Sequence, residues 1–233
     1  MRKVEEVKIQ LFSVEALKLM KKFYTYEKLS SIFKIQPTTL SRYINGHVLP
    51  SVERALEIVE FFKEEVFPSL LKQAITVVDE KRKIVSLERV VSDVNLLSIA
   101  SKIAFVEFKD YKISKILTKE GEGLPFATLL ADQLGCDLVV AKSKKDIGVE
   151  SVIEVKRFYP NGAYSFLYLP KKSIRLRENI LIVNDFNRTG STIRALVDAC
   201  KKCGSNVVGA VVLVNIQTPH PKFGIKFHPL VEI

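Results

Sequence analysis

Residues 180–192, ILIVNDFNRTGST, place one carboxylate, two amides, a guanidinium and three hydroxyls within nine positions of a wholly apolar run. The chemistry open to such a set is anion binding. Thr189-Gly190-Ser191-Thr192 offers hydroxyls, together with the backbone N–H groups exposed where a helix opens, and these suit a phosphate. An apolar run without alternation predicts a strand buried on both faces, as in a parallel sheet. The turn then lies at the strand's carboxyl end, where open α/β sheets hold their ligands. An ordinary strand-turn-helix with a polar turn would share only this outline.

The same residues resemble the phosphoribosyl-pyrophosphate (PRPP) motif of type I phosphoribosyltransferases, in which apolar residues lead into two acids and a Thr-Gly-x-Thr loop. The resemblance implies a PRPP- or nucleotide-binding set of Asn184, Asp185, Asn187, Arg188, Thr189, Gly190, Ser191 and Thr192. Asp185 would take a ribose hydroxyl, and residues 188–192 would surround the 5′-phosphate. Asn184 stands where the family has its first acid, and it adds no negative charge beside a developing oxocarbenium ion. Arg188 stands where the hypoxanthine-guanine branch has an Asp that acts as a base. The pattern is closer to the xanthine enzymes and to the purine repressors of Gram-positive bacteria, regulators that kept the fold and ligand but not the reaction.

A second loop carries the resemblance further. Glu120-Gly121-Glu122-Gly123-Leu124-Pro125 resembles the family's pyrophosphate loop, with Lys142 as the basic residue at the next strand end. Glu122 replaces a base with an acid. At an effective dielectric near 20, unit charges ~4 Å apart interact by about 4 kcal/mol, so an inward Glu122 disfavours pyrophosphate. The backbone N–H groups of Gly121 and Gly123 remain available. Lys144 and Lys145 open the segment corresponding to the mobile catalytic loop, or form a solvated charge run. The stretch QTPHPKFGIKFHPLVEI takes the place of the family's base-covering segment, with His220 and His228 expected in surface or core roles.

Composition bounds these readings. At 233 residues one or two domains fit, and 47% hydrophobic residues suffice for a sizeable core. The net charge of +10 points to an anionic partner without separating nucleic acid from phosphorylated metabolites. Residues 1–70 hold 11 basic against 9 acidic side chains, leaving 25 against 17 for the rest, so charge does not locate a DNA reader. Cys136, Cys200 and Cys203 make an odd set, and Cys200-x-x-Cys203 lacks the second pair a zinc site needs. A reduced, cytoplasmic setting is expected. No signal-peptide pattern and no apolar run of ~18 residues is visible, so no membrane partner is expected.

The elements that must position these groups can be read in order. Residues 9–23 have helical apolar spacing. Helices over Tyr26–Phe33 and Pro37–Asn45 flank the short turn Lys34-Ile35, since Pro37 suits a helix start and Gly46 its end. A further helix runs from Ser51 to about Val66, before Pro68 interrupts the pattern. Residues 69–110 read as mostly helical, with Glu80-Lys81-Arg82-Lys83 as a joint. Strands over 113–117, 137–141 and 207–214, the apolar strand that opens at Ile180 and runs into the acid, and helices over 126–134 and 192–202 give a βαβ series. Residues 150–170 read as a two-stranded excursion turning at Pro160-Asn161-Gly162.

The segment YEKLSSIFKIQPTTLSRYINGHVLPS resembles the helix-turn-helix of the phage Cro and repressor family over about residues 20–66. Leu29, Ile32, Ile35, Leu40 and Ile44 are its expected core. Gln36, Thr38, Thr39 and Arg42 are left on the other face, where Gln can pair with adenine, Arg with guanine or phosphate, and a Thr methyl can touch thymine. Ser41 and Tyr43 are expected to serve DNA-backbone contacts or packing. A plain three-helix bundle would share the outline. One monomer offers too few base contacts for a specific site, so a homodimer on a two-fold site in double-stranded DNA is expected.

Together these readings imply an α/β, type I phosphoribosyltransferase-like, mostly parallel sheet flanked by helices, preceded by an all-α helix-turn-helix domain, with domains at 1–67 and 68–233. The leading expectation is a DNA-binding transcription regulator that senses PRPP, a nucleotide or a nucleobase, similar to bacterial purine repressors and archaeal orotate-phosphoribosyltransferase-like regulators. The alternative is an active purine or orotate phosphoribosyltransferase in which Asp185 is catalytic. A third is a nucleotide-binding scaffold with an RNA-facing helical domain. No cofactor is required for the regulator, and Mg²⁺ would arrive with PRPP. No protein-held metal is expected.

Overall fold

The computed structural model describes residues 2–79, 84–216 and 223–233. The expected joint Glu80–Lys83 and His220, with the first part of the C-terminal stretch, lie outside the described residues. The chain divides into two compact units, Met1–Gln73 and Ala74–Ile233.

The first unit is helical: α1 (Lys3–Met20), α2 (Tyr26–Phe33), α3 (Pro37–Ile44), α4 (Val52–Phe61), a π-helical turn Phe62–Val66 and α5 (Phe67–Ala74). Thr25 caps α2 by accepting from the Lys28 N–H, and Ser51 does the same for α4 through Arg54. Lys34 closes α2 in the left-handed conformation, which turns the chain sharply into α3. Ile9, Phe12, Leu17, Leu29, Phe33, Leu40, Ile58 and Phe62 are buried together with Ile35 and Ile44. Phe33, one helical turn after Leu29, takes the central place expected for Ile32, which is only half-buried. Pro68 does not end the helix run. It sits in the first turn of α5, where its missing N–H costs little, and the π-turn just before it absorbs the register change.

The second unit begins with an antiparallel pair, β1 (Thr76–Asp79) and β2 (Ile84–Ser86), where helix was expected. Its β-branched run Ile75-Thr76-Val77-Val78 fits a pleated ribbon better than a helix. Helices α6 (Glu88–Ser92) and α7 (Val94–Phe108) follow, the latter capped by Asp93 on the Leu96 N–H. The core is then built from β3 (Lys115–Lys119), α8 (Leu124–Leu134), β4 (Asp137–Ala141), β5 (Val152–Phe158), β6 (Tyr164–Pro170), β7 (Asn179–Asn187), α9 (Ser191–Cys203), β8 (Asn206–Asn215) and β9 (Phe227–Glu232).

Five strands form one sheet in the order β4-β3-β7-β8-β9, and every adjacent pair is parallel. This is the α/β architecture that the apolar runs imply. β5 and β6 form a separate antiparallel ribbon. Leu117, Ile180, Ile182, Ala210 and Val212 share one core with Leu196 and Ala199 of α9 and with Val155 and Leu167 of the ribbon. Alternate residues such as Ile116, Leu181, Val183, Val211 and Leu213 are equally buried and point to the opposite face. The strand order fixes the site. From β3 the chain crosses to β4 on one side, and from β7 it crosses to β8 on the other. The carboxyl ends of β3 and β7 therefore flank a topological switch point, the crevice where such sheets bind ligands.

Candidate ligand-binding site

A cavity of about 520 Å³ opens at that switch point. Its walls are Lys119–Gly123 after β3, Asn184, Asp185, Phe186 and Thr192 around the end of β7, Arg157 of β5, and Val85, Ser86 and Leu87 from β2 and the residue after it. Two separate stretches of sequence, the expected pyrophosphate loop and the expected PRPP motif, thus face one space.

The two loops touch closely. A Cβ on Gly123 would stand 2.9 Å from the Asp185 backbone nitrogen, so only glycine lets the β3 loop pack onto the β7 strand here. Glu120 lines the cavity with its carboxylate already engaged. Its carboxylate accepts from the Ser143 N–H at 2.7 Å, and hydrogen bonding from Ser143 holds it below the ordinary carboxylate range. Lys119 donates to the Glu120 carbonyl. Lys142 is exposed and pairs with Asp146, outside the cavity wall.

Asp185 accepts from the Phe186 N–H at 2.8 Å. Burial pushes its carboxyl above the ordinary value, opposed by hydrogen bonds from Phe186 and its own N–H, and the nearby charge of Glu122 adds to the rise. The buried Asn184 spends its side-chain N–H on the Phe186 carbonyl at 2.6 Å. Asn187 is buried as well, and its amide donates to the Asn215 side chain at 2.7 Å, tying the end of β7 to β8. It is not in the wall of either cavity at this motif.

The turn that follows has the form of a phosphate cradle. Gly190 lies at φ +75° as the N-cap of α9, and a Cβ there would meet the Phe223 ring at 2.8 Å. Arg194 bonds the Thr189 carbonyl and lies over the Phe223 ring, so the returning C-terminal chain packs against the back of the turn. The Ser191 N–H reaches Thr189 Oγ1 at 3.4 Å, a long contact, and the N-terminal end of α9 that follows presents its dipole to an anion. Arg157 reaches this turn from the ribbon, its Nε donating to Ser191 Oγ at 3.2 Å. Arg188, Thr189 and Ser191 line a second cavity of about 670 Å³, with Phe186, Arg157 and the ribbon residues Tyr159, Pro160, Asn161 and Ala163.

Arg157, Phe186 and Val85–Leu87 are site residues that the sequence motifs did not reveal. Arg157 and Val85–Leu87 come from short strands with no motif of their own. The PRPP motif does place Phe186 in register, directly after its acid.

The metal question is answered by donor type. Asp185 and Glu122 are oxygen donors on one cavity, as Mg²⁺ prefers, but among the described residues no group of three His, Cys, Asp or Glu side chains can hold a metal ion. Two carboxylates suit a cation that brings most of its ligands with it. Cys200 and Cys203 lie on α9, and burial pushes the Cys200 thiol up to about 12, which makes it unreactive.

In the helical unit, Gln36, Thr38 and Arg42 are exposed on α3, while Thr39 and Ser41 are half-buried. Ser41 accepts from the Asn45 amide at 3.2 Å. Arg54 bonds the Phe33 carbonyl at 2.9 Å and ties α4 to the end of α2. No described helix is long and apolar enough to cross a membrane.

The fold agrees with comparisons to known proteins. The chain is 31% identical over 113 residues to the xanthine phosphoribosyltransferase of Finegoldia magna, covering 47% of this chain and 59% of that protein. It is 25% identical over 126 residues to the purine biosynthesis transcriptional repressor PurR of Bacillus subtilis, covering 53% of this chain and 44% of that one. The match thus spans less than two thirds of either relative's length. In three dimensions it superimposes on the adenine phosphoribosyltransferase of Rhodothermus marinus with a TM-score of 0.63, at 20% identity, over 72% of this chain and 98% of that chain. The family model described as the phosphoribosyl transferase domain matches residues 90–229, more than half of the sequence. The chain belongs to the phosphoribosyl transferase domain family.

Proposed function

We propose that this protein is a DNA-binding transcription regulator whose phosphoribosyltransferase-like unit, residues 68–233, holds PRPP, a nucleotide or a nucleobase as an effector. The DNA-reading unit is residues 1–67, acting as a homodimer. Gln36, Thr38, Thr39 and Arg42 meet base edges in the major groove and Ser41 meets the backbone.

The observation that carries the reading is the wall of the switch-point cavity. Glu122 and Asp185 face the same space there, and Asn184 is turned to its own backbone. A transferase stabilises an electron-poor ribose and a departing pyrophosphate. Here the loop meant for pyrophosphate carries an acid, while the cradle at Thr189–Thr192 keeps its glycine and its N–H groups. Such a site keeps its grip on a phosphorylated ribose and loses its hold on the leaving group. Mg²⁺ bound to PRPP would be met by Asp185 and Glu122 and would offset their charge.

The reading is tested by equilibrium binding of the full chain to duplex DNA from upstream of its own coding sequence. Affinity should fall steeply with salt. Arg42→Ala should weaken binding by tenfold or more while leaving metabolite binding intact, since a lost bidentate base contact costs roughly 1–3 kcal/mol. Unchanged DNA affinity in that variant contradicts the docking of α3.

The second reading is an active purine or orotate phosphoribosyltransferase, favoured by relatives such as the Finegoldia magna xanthine enzyme. It predicts PRPP-dependent nucleotide formation that Asp185→Asn abolishes. Turnover of that kind would displace the regulator-only view.

A further inference from the structure

The ribbon β5–β6 has two unlike faces. Val155, Leu167 and Leu169 turn into the core shared with α9 and the sheet. The register pairs Glu154 with Tyr168, Lys156 with Phe166 and Phe158 with Tyr164, so these six residues share the outer face. Four of them are aromatic, and their rings form an unbroken ladder. Centroids are 6.5 Å apart for Phe158–Tyr164, 5.7 Å for Tyr164–Phe166 and 6.3 Å for Phe166–Tyr168. Phe158 is 63% exposed and Tyr164 57%.

Lysines line the ladder. Lys156 Nζ lies 5.1 Å from the Tyr164 ring centre and Lys145 Nζ 5.4 Å from that of Tyr168. Lys201 and Lys202 of α9 close one side, around a cavity of about 480 Å³ that Phe158 and Phe166 also line. Two acids stand among these four lysines: Glu154 lies 3.7 Å from Lys145, and Asp198 lies 3.6 Å from Lys201. Lys202 donates to the neutral Glu154 carbonyl. The face is therefore positive, and it lies in the part of the chain that holds 25 of the 36 basic side chains.

From this juxtaposition of an exposed aromatic ladder with flanking lysines, we propose that the outer face of β5–β6 binds single-stranded nucleic acid, bases stacked on Phe158 and Tyr164 and phosphates met by Lys145, Lys156, Lys201 and Lys202. Ring faces accept any base, and flanking ammonium groups track the backbone. A duplex hides its base faces in its own stack, so it does not match exposed rings. A second copy docking isologously would set these lysines against themselves. Of the four rings Phe158 and Tyr164 are exposed and Phe166 and Tyr168 half-buried, so stacking is confined to the first two. None of the four rings or the four lysines is in the wall of either cavity beside the Thr189–Thr192 turn.

The test is anisotropy titration of the full chain with a labelled single strand of about 12 nucleotides, within the range one such platform covers. Binding should weaken with salt, and Phe158→Ala with Tyr164→Ala should weaken it on the order of tenfold or more. Arg42→Ala should leave it unchanged, which separates this site from the duplex reader. Because the chain has no Trp, Phe158→Trp adds a single reporter whose emission should be quenched by a stacked base. Three results overturn the proposal: no binding at low salt, equal affinity for wild type and the double variant, or loss of binding in Arg42→Ala. If the double variant splits a dimer while single-strand affinity stays intact, the face pairs two copies instead.

Discussion

Asp185 is where burial, charge and ligand recognition meet. Its raised carboxyl binds more protons in the folded than in the unfolded chain. Folding is therefore favoured below the ordinary value of 3.8 and loses stability as pH rises from there through the folded value. Asp185→Asn should raise the melting temperature of the ligand-free protein at pH 7, with the gain shrinking below about pH 4. Equal melting temperatures at pH 7 would contradict the desolvated carboxylate. Glu122 is exposed, so its charge acts through water. Glu122→Lys should tighten PRPP binding by about 1 kcal/mol, roughly fivefold, measured by calorimetry. No gain would show that Glu122 does not face the pyrophosphate. Gly190→Ala forces a Cβ into left-handed backbone and against Phe223, a cost of at least ~1 kcal/mol in unfolding free energy together with weaker phosphate binding. That Asp185 and Thr192 share one cavity wall could be expected from the resemblance to the PRPP motif, because strand, turn and helix start are contiguous in sequence. The buried pairing of Asn187 with Asn215 could not, because it joins two strands 28 residues apart.

At the scale of elements, the sequence spoke clearly wherever one periodicity ran long enough. The apolar runs of β7 and β8, the turn at Pro160–Gly162 and the cap signals around α2 and α3 lie close to where they were expected. The short pair β1–β2 was taken for helix, since four β-branched or apolar residues carry no period of their own, and its contribution to the cavity wall went unseen with it. The parallel strand β9 was also unseen, because Phe227–Glu232 includes Pro229 and reads as loop until it pairs with β8. Arg157 shows the same limit. Alternation puts it on the inner face of the ribbon, but only the fold brings that face to Ser191. The π-turn at Phe62–Val66 has a comparable origin, because Pro68 demands a local adjustment that no hydrophobic pattern announces.

At the scale of the molecule, a helical unit with an exposed α3 face and an α/β unit with a phosphate cradle share one chain. A ligand can alter DNA binding only by the difference in its affinity for two states, and the linkage is reciprocal. A regulator requires this coupling, whereas an active transferase requires turnover. That coupling is measured as the affinity of the full chain for duplex DNA from upstream of its own coding sequence at fixed salt, with and without saturating PRPP and Mg²⁺, followed in the same samples by assay for nucleotide formation with purine bases and orotate. A regulator is expected to show a change of roughly fivefold or more in DNA affinity, a matching change in PRPP affinity when DNA is bound, and no product. Superimposable DNA isotherms accompanied by PRPP-dependent nucleotide synthesis would contradict the regulator reading.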